Sequence, residues 1–440
     1  MRPRARAAAA LLASAVAIRA AGAGAADDGA SFHTLAQAGF GTVDEDGFVL
    51  LLAEQGLEWG GFGIVLRGPF RLRIVDRDPE DRGVLREQDW DEPSDFARIV
   101  PRIGFFRSWE GGSVRIRAGE LAGAGIGHGT VFDHFRNDTN MDRYQGGLLL
   151  DAGHRGNGIE FLMENLIAPR VIGGRARLAP IAWFTDAPAA RRLEIGFTVA
   201  ADLAVPRNRP EVGGVVVEER AVPVVGGDIS YRIVDGERVL LQPYFDVNGM
   251  DGTAGLHAGL GAGLRLAPDR DIWLHLRGEY RYLGADYHPV LFNPFHEHQR
   301  LFFSHDDELG EHRTLADHLA EVDDPDSHGG MADASLDWER IVRITARYDS
   351  EGRGRPHWLL LKVDVRPSEA LAIGAYYASR DPAGGAGVFS WDSLIGVGVT
   401  GRLWGPLQAN TGFTRRYRRI GDSLSHANET GICFGLILQY

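Results

Sequence analysis

Cysteine is all but missing from these 440 residues: Cys433 is the only one. That excludes an intramolecular disulfide framework, and no cysteine lies near the N-terminus to carry a lipid anchor. Lysine is as scarce, since Lys362 is the single lysine and arginine supplies the rest of the 47 basic side chains. A GC-rich coding bias accounts for such an excess, and so does a use for planar, non-titrating donors. A surplus of positive charge is absent: 60 acidic residues set the net charge at −13, which repels a phosphate backbone and argues against a nucleic-acid partner. Long apolar runs are lacking too. After residue 26 no ten consecutive residues are apolar, whereas a helical membrane span needs about twenty. Glycine is in surplus, at 58 residues. Each glycine inside a helix costs roughly 1 kcal/mol relative to alanine, so a mostly helical fold is disfavoured. The length implies two or three domains unless one large β-architecture absorbs it.

The N-terminus reads as an address. Arg2, Arg4 and Arg6 precede an apolar stretch from Ala7 to Ile18, and Ala23-Gly24-Ala25 supplies small residues for cleavage. This is the pattern of a secretory signal peptide over 1–25. The mature chain is expected to work outside the cytoplasm.

What fills the mature chain is alternation. Ile272, Leu274, Leu276, Tyr280 and Tyr282 share one parity, and Asp271, His275, Arg277, Glu279 and Arg281 the other. A period of two over thirteen residues is a strand with one apolar and one charged face. The split recurs with Leu193, Ile195, Phe197 and Val199 against Glu194, Thr198 and Asp202, and with Val342, Ile344, Ala346 and Tyr348 against Arg343, Thr345 and Arg347. Several runs reach about ten residues, the length a tilted strand needs to cross a bilayer. Trp59, Trp183, Tyr280, Tyr282, Trp338, Tyr348 and Trp404 sit near run ends, as interfacial girdles would.

The last residues read TGICFGLILQY, with Ile432, Phe434, Leu436, Leu438 and Tyr440 on one face. Here the sequence resembles the Gram-negative outer-membrane β-barrel proteins, whose last strand alternates and ends in an aromatic, most often Phe. The resemblance rests on the signal peptide, the alternation and these eleven residues. It implies outer-membrane localisation, a lipid-embedded wall, and the barrel assembly machinery as the partner reading Phe434, Leu436, Leu438 and Tyr440.

The expected fold is all-β, a transmembrane antiparallel barrel of about 16–18 strands with long polar loops. Residues 26–57 read as a lead-in, periplasmic or lumenal, and 58–440 as the barrel, with strands at 58–66 and 70–77 among eighteen candidates. In that count the long connections fall where short periplasmic turns belong, which places an error before Trp59 or after Pro356.

Residues 284–336 form the longest interruption. Seven of the fifteen histidines lie there, among them His296 and His298, interleaved with carboxylates. That ligand set suits zinc, copper or nickel, but the spacing matches no standard site, and a solvated loop folded over the mouth is the simpler expectation. The glycine run Gly119–Thr130 lacks the Lys-Ser/Thr of a phosphate-binding loop. With the polar stretch after it, including His128, Asp133, His134 and Arg136, it can fold inward as a constriction or stay outside as a plain loop. No serine sits in a nucleophile motif, and pairs such as Asp133 with His134 are expected by chance.

If apolar residues face lipid, Arg71, Arg73, Arg98, Arg102, Arg115, Arg117, Arg277, Arg281, Arg343 and Arg347 face the lumen. Fixed charge there selects ions by sign, and the cluster from 71 to 117, with few lumenal acids assigned nearby, predicts a positive wall. The resulting expectation is a porin-like channel for passive diffusion of small hydrophilic solutes, leaning to anions and needing no cofactor. A non-transporting surface barrel whose long loop binds a partner or metal is the alternative, and a barrel enzyme a third.

Overall fold

Alternation dictates strands because a period of two puts every apolar side chain on one face of the ribbon, and a sheet with one apolar face lowers its free energy by closing on itself in lipid, where no edge can be left unpaired. The computed structural model describes residues 29–439 apart from 78–82, 186, 208–217, 268, 307–310, 323–324, 340, 353–356, 381–392 and 421–422. The signal peptide at 1–25 and Tyr440 lie outside the described residues.

Among the described residues, twenty-five strands are present in chain order. The first half holds β1 (Ser31–Val43), β2 (Asp46–Trp59), β3 (Phe62–Val75), β4 (Arg102–Trp109), β5 (Gly112–Gly119), β6 (Ala122–Ile126), β7 (Phe132–Arg136), β8 (Gly147–His154), β9 (Asn157–Met163), β10 (Val171–Leu178), β11 (Leu193–Arg207), β12 (Glu218–Tyr231) and β13 (Val234–Asp235). The second half holds β14 (Val239–Met250), β15 (Thr253–Ala267), β16 (Ile272–Leu283), β17 (Ser304–Asp306), β18 (Glu311–Arg313), β19 (Ser327–Trp338), β20 (Val342–Ser350), β21 (His357–Ser368), β22 (Leu371–Arg380), β23 (Ser393–Trp404), β24 (Leu407–Ile420) and β25 (Ser423–Gln439). β6 pairs only with β7, β17 only with β18, and β13 is a two-residue extension on β14. The other twenty are the staves of one antiparallel sheet that closes where β1 pairs with β25, from His33↔Gln439 to Val43↔Glu429. Two short helices, α1 (His296–Gln299) and α2 (Leu315–Glu321), lie between β16 and β19.

The closing seam needs glycine. A Cβ on Gly39 would stand 2.0 Å from the Ile432 carbonyl oxygen, a backbone atom that cannot yield.

Outward residues are apolar and exposed, as with Phe197 at 58%, Tyr280 at 56% and Phe434 at 50%. On a closed barrel such a belt is stable only in lipid, so this is an outer-membrane architecture. The chain termini share one end with short turns at 60–61, 110–111, 155–156, 369–370 and 405–406, while the long connections 76–101, 120–146 and 284–326 share the other. Short turns mark the periplasmic end. Exposed Trp59, Trp109, Trp183 and Trp404 form a girdle there, where amphipathic rings sit at headgroup level.

The barrel class is as expected, but with twenty staves rather than 16–18. The segment 26–57 is not a lead-in: it contains β1 and most of β2. The candidates 58–66 and 70–77 are the two ends of β3 with the tip of β2, cut apart at Gly68-Pro69. β19 was hidden in the supposed interruption 284–336. Restoring β1 and β19 puts the three longest connections at one end and both chain termini at the other.

Candidate functional site

A loop inside a barrel must hide its apolar residues and satisfy its backbone away from the wall's own ladder. The 120–146 connection does both by running around the inside of the wall as a hoop. Leu121, Ile126, Phe132 and Phe135 are buried with wall residues Leu162, Val171, Ala200 and Val224. Glycines on the wall make room: a Cβ on Gly173 would stand 2.3 Å from the Phe132 ring. Asn137 is a hub, its Oδ1 accepting from the Leu121 amide at 2.7 Å and its Nδ2 donating to the carbonyls of Gln145 and Glu164 at 2.9 and 2.8 Å. These bonds tie the hoop to the tops of the short staves β5, β8 and β9.

Polar anchors follow stave by stave. The Gly127 amide donates to Glu160 at 2.7 Å, and His128 stacks on Tyr244 with ring centroids 4.3 Å apart. Asp133 accepts from Arg277 of β16 and Arg347 of β20 and from the His134 ring at 2.9 Å. Burial alone would raise the Asp133 carboxyl, but Arg277 and Arg347 outweigh it and hold the group well below the usual carboxylate range. Arg136 clamps Asp138 through two bonds, at 2.8 and 2.6 Å, and its guanidinium lies 4.3 Å over the Tyr376 ring. Residues 139–141 then pair with β24 through Tyr417 N–H to Thr139 O and Met141 N–H to Tyr417 O.

Behind Asp133 the ionic chain continues within the wall. Arg347 donates to Asp349 at 2.7 Å, Arg281 to Asp349 at 2.6 Å, and His257 bridges Glu279 and Tyr287, each at 3.0 Å. Every member has an opposite-charge or hydrogen-bond partner, the condition under which buried charge is tolerated.

Residues 287–303 of the 284–326 segment seat on the hoop and are not a solvated loop over the mouth. Tyr287, Leu291, Phe292, Phe295, Phe302 and Phe303 are buried, and Phe292 stacks on Phe132 at 4.2 Å. The amides of Val290 and Phe292 donate to Thr130 and Val131. Val290 has φ 50, a left-handed conformation that a β-branched residue adopts only when its surroundings enforce it. His296 bonds Asp202 at 2.9 Å and the Leu291 carbonyl at 3.0 Å, whereas His298 stacks on Phe302 and Tyr417. The two imidazoles serve separate contacts, and no group of three metal-ligating side chains occurs among the described residues.

Of the ten arginines expected in the lumen, Arg102, Arg115, Arg117 and Arg343 line the periplasmic half. Arg277, Arg281 and Arg347 belong to the ionic chain. Arg71 is held by Asp89 and Glu429, at 2.9 and 2.6 Å, and Arg73 by Asp46 at 3.4 Å. Arg98 is no stave residue: it sits in a 3-10 helix, Pro93–Ile99, between the rings of Trp90 and Tyr144. The wall from 71 to 117 is therefore less positive than expected. Its missing acids come from β2, where Asp46, Glu54 and Glu58 meet Arg73, Arg67 and Arg102, and that strand had been read as lead-in. Phe434 and Leu436 are exposed on the lipid face of β25, and Leu438 shares their parity.

No family model matches the chain, and no curated protein does. Among solved structures, OccK1 (OpdK) of Pseudomonas aeruginosa aligns over 94% of this chain and 99% of its own at 10% identity and a TM-score of 0.35. OccAB3 of Acinetobacter baumannii aligns over 94% and 100% at 8% identity and 0.36. OmpT of Vibrio cholerae, an outer membrane protein, aligns over 93% and 97% at 10% identity and 0.30. At these values the function has to be read from this chain's own geometry.

Proposed function

We propose that this barrel is a passive channel for small hydrophilic solutes with a lean toward anions, its lipid-facing last strand read by the assembly machinery through Phe434, Leu436, Leu438 and Tyr440. One observation carries the reading. A closed barrel with an apolar exterior keeps a charged, solvated inner face in its periplasmic half, where Arg102, Arg115 and Arg343 are exposed side chains on lumenal positions. Charge at such a place costs desolvation unless water fills the lumen.

The lean to anions rests on Arg115 and Arg117. They lie two residues apart on the lumenal face of β5, and among the described residues neither has a carboxylate within 4.0 Å, Asp151 being taken by Arg177 at 3.0 Å. Fixed positive charge on a narrow aqueous wall raises the local anion concentration. Replacing both by Gln should move the reversal potential in a salt gradient toward cations; an unchanged potential refutes the charge assignment. Burial of Tyr287, Leu291, Phe292, Phe295 and Phe303 inside the barrel supports the channel reading over the alternative, a partner-binding outer loop.

A further inference from the structure

The hoop does not seal the barrel evenly. Toward β8–β16 its apolar side chains and those of the 284–326 segment merge with the wall into one buried cluster, and Asp133 nails it to β16 and β20. Toward β22–β25 and β3 the contacts are mixed: Phe295 packs with Ala378, Leu394 and Tyr417, and Met141 with Phe48 and Ala427, yet between these clusters the lining is polar and, among the described residues, two cavities remain. One, of about 240 Å³, lies against Arg67, Arg71, Glu120, Asp138, Tyr144 and Arg416. The other, of about 170 Å³, lies against Arg136, Asp138, Tyr376, Gly396, Thr414 and Arg416. Asp138 and Arg416 belong to both and form the partition between them. Two glycines of β23 are unfilled: a Cβ on Gly398 would meet nothing within 4 Å, and one on Gly396 only the Tyr376 Cβ at 3.8 Å. On the other wall Gly255 is occupied by Tyr287 and Gly259 by Tyr244.

We propose that solutes cross the outer half of the barrel off axis, between the hoop and the β22–β3 wall, and that Asp138 and Arg416 are the residues that set selectivity there. The inference rests on the channel reading. A wall of unfilled glycine beside a polar cavity is space that water can occupy, because the cavities exceed one water volume and offer several donors and acceptors. The apolar side offers neither. At the partition a solute meets one carboxylate flanked by the guanidiniums of Arg136 and Arg416, with Arg416 also held by Glu429 at 3.1 Å. Removing the Asp138 charge therefore makes the local field more positive, and removing the Arg416 charge makes it more negative, without touching the apolar seal.

The test uses the refolded full chain in planar bilayers. Gly396→Trp puts an indole into the smaller cavity and should cut single-channel conductance on the order of tenfold. Gly261→Trp is the matched control, since its Cβ meets only the Gln242 carbonyl at 3.7 Å on the opposite wall, and it should leave conductance near wild type. Asp138→Asn should raise the anion-to-cation permeability ratio about twofold or more, and Arg416→Gln should lower it. Wild-type conductance in Gly396→Trp, or unchanged ratios in both charge variants, overturns the route while leaving the channel intact. A wild-type protein without openings overturns the channel reading itself.

Discussion

Replacing Asp133 by Asn should free the hoop from the wall while leaving the barrel closed. The carboxylate is nine-tenths buried and is shared by Arg277 and Arg347, whose own side chains are 21% and 0% exposed. Asn retains the shape but deletes the one charge that, among the described residues, bridges both guanidiniums. Taking one partner from a buried ion pair costs about 3–5 kcal/mol when the remaining charge is left unpaired; Arg347 keeps Asp349 at 2.7 Å and Arg277 is partly exposed, so the cost here is about 3 kcal/mol or less. Here the cost falls on the hoop's attachment, since the stave hydrogen bonds do not involve Asp133. At about 1.4 kcal/mol per tenfold, the detached population should rise by up to about two decades. Hydrogen exchange by mass spectrometry reads this directly: peptides within 120–146 should lose protection while β1 and β25 keep theirs. Asp151→Asn is the control, a half-exposed partner of Arg177 whose loss should cost about 1 kcal/mol or less. Equal protection of the hoop in Asp133→Asn and wild type would refute the view that this ionic anchor positions it.

Other outcomes follow from the same geometry. Burial pushes the Glu164 carboxyl up to about 7, the Arg170 and Val171 amides pull it down, and Glu297 pushes it up again. The folded state therefore holds a proton that the unfolded chain releases near 4.5, so the stability of the 164–170 junction should fall as pH rises from about 4.5 to 7 and level off above. The span is about 3 kcal/mol at most; melting curves at pH 5 and 8 should converge in Glu164→Gln, and an undiminished difference assigns the effect elsewhere. Gly255→Ala places a Cβ 2.1 Å from the Tyr287 ring and should unseat the 284–303 segment at a cost of about 1–3 kcal/mol, seen as exchange confined to that segment. Gly39→Val should prevent seam closure, read as loss of the heat-modifiable gel mobility of a closed barrel; retention of that mobility refutes the seam argument.

The long amphipathic staves were legible because apolar and charged residues alternate without interruption, as in Ile272–Leu283 and Leu193–Arg207. β1 was not, since Ala36, Ala38, Gly39 and Gly41 offer no contrast between faces. β19 was lost likewise, its outward positions being Gly330, Ala332 and Ala334, and β3 was cut by Gly68-Pro69, although the strand pairs with β2 straight through these two residues, opposite Ala53 and Leu52. In a barrel, small residues are permitted on either face wherever a neighbour fills the space, so polarity alone cannot mark such strands. The hoop's flexibility was readable in its glycines, but its inward fold was only one of two readings. Phe132 and Phe135 within that polar loop, and Leu291, Phe292, Phe295, Phe302 and Phe303 among the histidines, were the available signal, because a solvated loop has no use for so many buried-type side chains.

Single-channel recording of the refolded wild-type protein addresses the central claim most directly. The account predicts discrete, ohmic open levels with an anion-leaning reversal potential in a salt gradient; a barrel that inserts into the bilayer and never conducts would contradict it.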